Sequence, residues 1–255
     1  IGLSGIHSSF FSYSLILILA IIFYRLKSGR CFLLPSFWVY ALICGITNLA
    51  YVLAVINGEI VRAMLLFFLS PIWTIVLSFV FLREKIRPNH YIAACLSIIG
   101  AFAMLSGVDL RLGSSIFSDL MALVAGIFFA LTNVMARKYT NISVKEKSYA
   151  IWLGVILLSL LIVDKQTLTE QTVIFSLEKL GLLFLIGTSI FVTTVIVQYG
   201  LTKIEAVKAS PIFLFEIIVA AISSYLLANE AIGLRDIVGG VFIVIGILIS
   251  ARDKV

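Results

Sequence analysis

The sequence has 255 residues, of which 62% are hydrophobic and 13% are charged, and its mean hydropathy is +1.16. A soluble domain carries about 45–50% apolar and about 25% charged residues, so an ordinary cytosolic enzyme, a secreted disulfide scaffold and a disordered chain are excluded. The net charge of +6 is typical of the basic loops of a membrane protein. The composition therefore predicts a polytopic membrane protein.

Nine apolar stretches are long enough to cross a bilayer as helices, which takes about 20 residues each. None of them alternates in the dyad pattern of an outer-membrane barrel, and in hydrocarbon the helix is the remaining way to satisfy the backbone. We therefore predict an all-α fold with short loops. In chain order the predicted spans are residues 7–24, 37–57, 61–81, 89–107, 116–136, 148–164, 179–200, 206–227 and 233–251.

The basic residues divide unequally between the two sides that these spans define. Fourteen of the 19 lie in one set of alternate loops and in the C-terminal tail, and the other five lie in the opposite set. Because cytoplasmic loops carry the excess of Lys and Arg, the C-terminus is predicted to be cytoplasmic. The smaller set consists of Arg62, Arg111, Lys165, Lys179 and Arg235.

An internal repeat appears when the sequence is shifted by 146 residues without a gap. Glu59 then falls on Glu205, and Phe67 falls on Phe213. Chance matches between apolar residues are common, whereas matched Glu and Gly positions in one ungapped register are more informative, and two further matches are of this kind. These are Glu84 with Glu230, and Gly100 with Gly246.

The two copies of the repeat have opposite predicted orientations in the membrane. Inverted repeats are characteristic of secondary carriers, whose halves move about a site near the bilayer midplane. The helix at 116–136 has no mate within the sequence, which begins at Ile1. We expect a ten-helix, five-plus-five carrier whose first helix is absent from this chain, with half-repeats at residues 1–107 and 108–255; a natural nine-helix protein is the alternative.

Several motifs follow one another along the chain in a specific order and spacing. They are Tyr51-Val-Leu-Ala54, Pro71, Leu82-Arg-Glu84 and Gly100, then Asp119-Leu-Met-Ala122 with Ala136-Arg-Lys138, and in the second half Ala209-Ser-Pro211, Phe215-Glu216, Ala228-Asn-Glu230 and Gly246. Together they resemble the EamA-type carriers of the drug/metabolite transporter superfamily. The resemblance implies ten helices, two cytoplasmic termini and transport of small metabolites or amino acids, usually outward. The chain departs from the family's pattern at its start, where the family's first helix is absent.

Glu216 is the most informative single residue. It lies about ten residues from either end of its predicted span, which places it about 15 Å deep. A carboxylate at that depth must face a cavity, pair with a cation or be protonated. We predict that it binds a cationic or amino-bearing substrate or relays a proton; a protonated side chain bonded to a neighbouring helix is the structural alternative.

Other polar side chains fall on the predicted helix faces and are candidate substrate-binding residues. A cavity between the halves needs a few such donors and acceptors in an apolar wall, although hydrogen bonds between helices use the same residue types. The candidates besides Glu216 are Asn48, Tyr51, Ser70, Thr74, Asn133, Thr194 and Gln198.

Four residues are candidates for gating. Pro71 and Pro211 interrupt helical hydrogen bonding and are predicted to act as hinges, with a static kink as the alternative. Glu84 and Glu230 lie at predicted helix ends, where they are expected to form gate ion pairs with Arg83, Arg87 or Arg235, or else to be solvated loop charges.

The sequence favours a secondary transporter for a small metabolite in a bacterial-type inner membrane, working by alternating access, exporting, with proton coupling through Glu216. It contains no GxxxxGK[ST] motif and no metal-ligand spacing. We therefore expect no cofactor, no metal, no enzymatic activity and no nucleic-acid partner, and a monomer or homodimer in the lipid bilayer. A membrane-embedded lipid-handling protein and a non-transporting scaffold are the alternatives.

Overall fold

The computed structural model describes residues 5–23, 29–105, 116–162, 177–228 and 232–252, and within these ranges it contains helices and no strands. A short 3₁₀ helix covers Gly29–Leu33. The α-helices are α1 (Gly5–Phe23), α2 (Pro35–Asn57), α3 (Ile60–Phe67), α4 (Ser70–Leu82), α5 (Pro88–Leu105), α6 (Ile116–Lys138), α7 (Val144–Ile162), α8 (Leu177–Leu201), α9 (Ala206–Phe213), α10 (Phe215–Ala228) and α11 (Leu234–Arg252).

Eight segments of the described chain are long and apolar enough to cross a membrane, which confirms the predicted all-α polytopic fold. Two of the eight are pairs of short helices in line, α3 with α4 and α9 with α10. The span predicted at 148–164 corresponds to α7, which has 19 residues but carries three charged residues in its first turn.

Helix α7 begins one turn earlier than the hydropathy predicts because of a capping box. The backbone N–H of Ser143 donates to Glu146 Oε2 over 2.6 Å, and the N–H of Glu146 approaches Ser143 Oγ at 3.4 Å. This reciprocal arrangement satisfies donors that a helix start leaves free. Lys147 is buried in the same turn and donates through Nζ to the carbonyl of Ala136 on α6.

The ends of the bundle differ in charge, and we name them accordingly. At the basic end, the loop after α4 and the last turn of α6 supply five basic residues: Arg83, Lys85, Arg87, Arg137 and Lys138. Four helices begin at this end, namely α2, α5, α7 and α9. Helices α4, α6, α8 and α11 end there. The positive-inside rule predicts that the basic end faces the cytoplasm.

Both broken spans are interrupted at the same position of the 146-residue register. The first break lies at Phe68 and Leu69, and the second at Leu214, which is 146 residues after Phe68. Tight i to i−3 hydrogen bonds close each break, from Leu69 to Leu66 and from Leu214 to Pro211. Helices α3 and α9 therefore occupy the same range of the register, from 60 to 67 and from 206 to 213.

The predicted hinges lie next to these breaks. Pro71 is in the first turn of α4, and Pro211 is inside α9. Proline has no N–H, so each leaves one carbonyl of the preceding turn without its helical donor. In the second copy the Ser210 hydroxyl supplies a bond to the Val207 carbonyl at 3.1 Å. The role of these two prolines as hinges stays a prediction.

Helices α5 and α11 cross so closely that glycines are required. A Cβ at Gly100 would lie 2.5 Å from the Gly239 carbonyl oxygen, and one at Gly246 would lie 2.8 Å from that of Ala93. The repeat relates the two contacts, since adding 146 to position 100 gives 246 and subtracting 146 from position 239 gives 93. The division of the chain at residues 107 and 108 stays a prediction, which this pairing supports.

A second close contact joins α2 to α7 on the other side of the bundle. Gly45 on α2 and Gly154 on α7 each bring their helix against the backbone of the other. Trp152 is fully buried beside this crossing and stacks on Phe191 of α8, with ring centroids 5.3 Å apart. These contacts place α2, α6, α7 and α8 around one cavity.

Candidate functional site

A cavity of about 550 Å³ lies between the helices, within the range of ligand pockets. Most of its wall is apolar, with polar groups on α1, α2, α6, α8 and α10 and, among its lining residues, one carboxylate. The polar and aromatic lining residues are Tyr13, Cys44, Thr47, Asn48, Tyr51, Phe67, Phe68, Phe129, Thr132, Asn133, Ser189, Thr193, Thr194, Gln198, Phe213 and Glu216.

Six of the eight predicted substrate-binding residues come together in the wall of this cavity, although they lie on four helices. They are Asn48, Tyr51, Asn133, Thr194, Gln198 and Glu216. The other two, Ser70 and Thr74, are not among the lining residues. Both are buried on α4, where the Thr74 hydroxyl donates to the Ser70 carbonyl at 2.9 Å. The polar group of Thr74 is thus used within its own helix.

Glu216 lies in the first turn of α10, immediately after the second helix break. Its side chain is exposed rather than buried in a helix contact, and it has no hydrogen-bond or ion-pair partner within the described part of the chain. This turn is the start of a helix, where free backbone N–H groups favour a negative charge. An acid in this position is available to a cation that enters the cavity.

An aromatic layer crosses the middle of the cavity. It consists of Tyr51, Phe67, Phe129 and Phe213, and each consecutive pair of rings has its centroids 5.1 Å apart. The sequence analysis did not propose the three phenylalanines as site residues. A signal was present, because Phe67 and Phe213 are mates in the repeat.

The floor of the cavity at the basic end is closed by a buried hydrogen bond. The Tyr40 hydroxyl on α2 donates to Gln198 Oε1 on α8 at 3.0 Å, and Tyr40 is fully buried. Leu201 and Met135 are buried below it in the same apolar cluster. Tyr40 was not among the residues predicted for the site, because its span is apolar and a tyrosine in such a span gives no sign of a partner on another helix.

The cavity becomes more exposed toward the end opposite the basic end. Along α8, Ser189 and Thr193 are exposed, Val197 is half-buried and Gln198 is only 2% exposed. Because α8 runs toward the basic end, the exposure of these lining residues decreases toward that end.

A charged cluster holds three helix ends together at the basic end. Arg137 Nε at the end of α6 lies 3.0 Å from Glu84 Oε1, just after α4, and Lys208 pairs with Glu205 at the start of α9 at 3.1 Å. Arg83 adopts a left-handed conformation with φ of 53°, which ends α4 and turns the chain at Glu84. The partner of Glu84 is thus Arg137, a residue of another helix, and not Arg83 or Arg87 as the sequence analysis expected.

The other predicted gate residue, Glu230, lies outside the described residues. At that end of the bundle the structure shows a different ion pair, in which Arg62 of α3 donates two hydrogen bonds to Asp119 of α6. Nε lies 2.9 Å from Oδ1, and Nη2 lies 2.7 Å from Oδ2. This bidentate geometry fixes the start of α3 against α6.

The Glu84 cluster predicts a pH dependence of stability. Burial raises the pKa of the Glu84 carboxyl above its ordinary value, Arg137 opposes the rise, and nearby Glu205 adds to it. The folded protein therefore holds this proton more tightly than the unfolded chain, so the contribution to stability is full at low pH and is lost as pH rises through the raised pKa. We expect Glu84→Gln to melt above the wild type at about pH 8 and level with it at about pH 4.

This prediction is checked by melting curves of both proteins at the two pH values. The pair of curves at the lower pH is the control, because the Glu84 carboxyl is protonated there and other effects of the substitution would already separate the two proteins. A wild-type melting temperature above that of Glu84→Gln at the higher pH would show that the ion pair outweighs the burial of the carboxylate.

Comparison with known proteins gives consistent results over the whole chain. The model of the EamA-like transporter family matches residues 2–106 and 116–252. A crystal structure is similar with a TM-score of 0.81 at 13% identity, over 98% of this chain and 88% of the other, which shows a shared fold.

The similar curated proteins carry transporter names. An uncharacterized transporter of Clostridium kluyveri is 26% identical, over 83% of this chain and 71% of its own length. One of Archaeoglobus fulgidus is 24% identical, over 82% and 73%. An S-adenosylmethionine uptake transporter of Rickettsia bellii is 22% identical, over 92% and 78%. The predicted family is confirmed: this chain belongs to the EamA-like transporter family and is a membrane transporter.

Proposed function

We propose that this chain is a secondary carrier that moves a small cationic metabolite across a bacterial-type inner membrane, with its C-terminus in the cytoplasm. The observation that carries the proposal is Glu216. It is the one charged side chain among the residues that line the cavity, and it has no partner within the described ranges. A single negative charge in a mostly apolar wall favours a positive ligand over a neutral or negative one.

Alternating access follows from the arrangement of the two ends. Opening the basic end requires Tyr40 to separate from Gln198, and the charged cluster around Glu84 to separate from α6 or α9. Closing the opposite end brings α3 and α10 toward α8. Pro71 and Pro211 are the proposed hinges, since each lies beside a helix break in a span that lines the cavity.

Proton coupling is part of the same proposal. A protonated Glu216 cannot attract a cation, so proton and substrate compete for one carboxylate. Each cycle would then exchange substrate in one direction for a proton in the other. The related uptake transporters suggest S-adenosylmethionine, which carries a positively charged sulfonium and an amino group, as the first substrate to test.

Binding of S-adenosylmethionine to the purified protein tests the role of Glu216. We expect Glu216→Gln to weaken binding by about 30-fold or more, because the ligand loses its only counter-charge. Asp236→Asn, which removes a carboxylate of α11 outside the cavity lining, should bind as the wild type does. If no S-adenosylmethionine binds, the same comparison is made with a panel of amines and amino acids.

Transport into vesicles tests coupling and direction. Wild-type transport should depend on pH, and Glu216→Gln should lose that dependence; a variant that keeps it in full would exclude Glu216 as the coupling residue. The family resemblance favours export, whereas the names of the Rickettsia relatives favour uptake. Vesicles loaded on one side or the other distinguish these directions, and the absence of any flux would favour a scaffold or a lipid-handling protein.

A further inference from the structure

Asn133 gives the cavity a second polar end. Its side chain lines the cavity, is only 2% exposed, and has an amide nitrogen, Nδ2, without a hydrogen-bond partner. A buried donor left in this state is unfavourable, and native structures retain few of them. The neighbouring polar groups do not use it. Thr132 lies 3.3 Å from the hydroxyl of Thr47 and 3.7 Å from the thiol of Cys44.

The aromatic layer separates Asn133 from Glu216. Asn133 follows Phe129 by four residues on α6, which runs toward the basic end, and so lies about 6 Å below that ring. Glu216 follows Phe213 by three residues on a span that runs the other way, and so lies about 5 Å above it. Because the Phe129 and Phe213 rings are in contact, the carboxylate and the unpaired amide are about 10 Å apart along the bundle axis.

We propose that the substrate is an elongated organic cation with a hydrogen-bond acceptor at the end remote from its charge. Its positive group lies against Glu216, its middle passes the aromatic layer, and its acceptor takes the hydrogen bond that Asn133 Nδ2 offers. A flat, unsaturated middle fits best, because rings on both sides favour stacked or edge contacts. The inference rests on the proposed function and adds the shape and the second recognition group of the substrate.

Two small amines separate these contributions. Benzylamine has a cation and a ring, and 4-(aminomethyl)benzamide adds a neutral carboxamide acceptor at the far end of the same ring. We expect the wild type to bind the benzamide about fivefold to tenfold more tightly than benzylamine, which is the usual effect of one hydrogen bond.

Asn133→Leu should bring the two affinities to the same value, since leucine has a similar volume and no donor. Asn57→Leu is the matched control, because Asn57 lies outside the cavity lining and bonds to its own helix at the Leu53 carbonyl. Glu216→Gln should weaken the binding of both amines and keep their ratio. If only Glu216→Gln loses affinity for the amines, the proposed function is supported. The ratio of the two affinities in the wild type then decides the present inference.

Thermal melting without ligand gives an independent readout. If Asn133 is held for binding, Asn133→Leu removes an unpaired buried donor and should raise the melting temperature by about 2–4 °C. If Asn133 is structural, the same variant should melt lower. Equal affinities of the two amines in the wild type, an Asn133→Leu variant that still prefers the benzamide, or a lowered melting temperature would each overturn the inference.

Discussion

Gly154→Ala is expected to lower the melting temperature by roughly 10 °C. The new Cβ would collide with the Ala41 carbonyl, whose carbon would lie 2.6 Å away. Backbone cannot yield as a flexible side chain does, so α2 and α7 must move apart, at a cost of about 3 kcal/mol. In a protein of this size that cost corresponds to the stated shift. Melting of the purified protein measures it.

Gly200→Ala is the matched control for this substitution. Gly200 also lies in a helix, near the end of α8, but a Cβ there would meet no atom within 4 Å. Alanine is the better helix former by about 1 kcal/mol, so this variant should melt level with the wild type or slightly above it. Equal melting of the two variants would show that the α2–α7 contact relaxes without cost.

Tyr40→Phe is expected to open the basic end of the cavity. Without the hydroxyl, Gln198 Oε1 has no donor in the closed state. In the open state the same oxygen can accept a hydrogen bond from water. An unsatisfied buried acceptor costs about 1–3 kcal/mol, which shifts the populations about tenfold or more toward the open state. The Tyr40 hydroxyl also bonds to the Cys44 thiol, so the readout is a ratio of two rates. The reaction of Cys44 with a membrane-impermeant thiol reagent added at the basic end should accelerate by the same factor relative to its reaction with reagent added at the opposite end.

This experiment requires Cys31→Ser and Cys95→Ser, so that Cys44 is the remaining thiol. Tyr139→Phe is the control, because its ring lies beside Tyr40, with centroids 6.4 Å apart, and its hydroxyl makes no hydrogen bond within the described ranges. An equal rate for both variants would mean that apolar packing, and not the hydrogen bond, closes this end.

The helices could be predicted from the sequence because the bilayer imposes one strong rule. An apolar run of about 20 residues must be helical to satisfy its backbone, and the observed spans lie within a few residues of the predicted ones. The positions of the two helix breaks were harder to predict from the sequence. Proline marked the two spans, but the breaks fall at Phe68 and Leu214, where packing against neighbouring helices decides which turn tightens.

The cavity could be predicted in part, for a related physical reason. Glu216, Gln198 and Asn133 are polar in apolar runs, and such residues generally face protein or a cavity rather than lipid. Ser70 and Thr74 satisfy the same pattern, but a hydroxyl can bond to its own helix, as Thr74 does. The phenylalanines carry no polar signal, so their place in the wall depends on helix rotation and crossing, which hydropathy does not contain.

The solitary carboxylate of the cavity has a consequence for the energetics of the cycle. On the proposed mechanism, the empty carrier with an ionised Glu216 reorients with one net negative charge, whereas the carrier loaded with a monovalent cation or a proton reorients as a neutral species. Moving one elementary charge across the membrane potential changes the free energy by about 2.3 kcal/mol per 100 mV. The membrane voltage should therefore leave both steps of the exchange, outward with one ligand and back with the other, nearly unaffected, and act only on the uncoupled reorientation of an empty, ionised carrier.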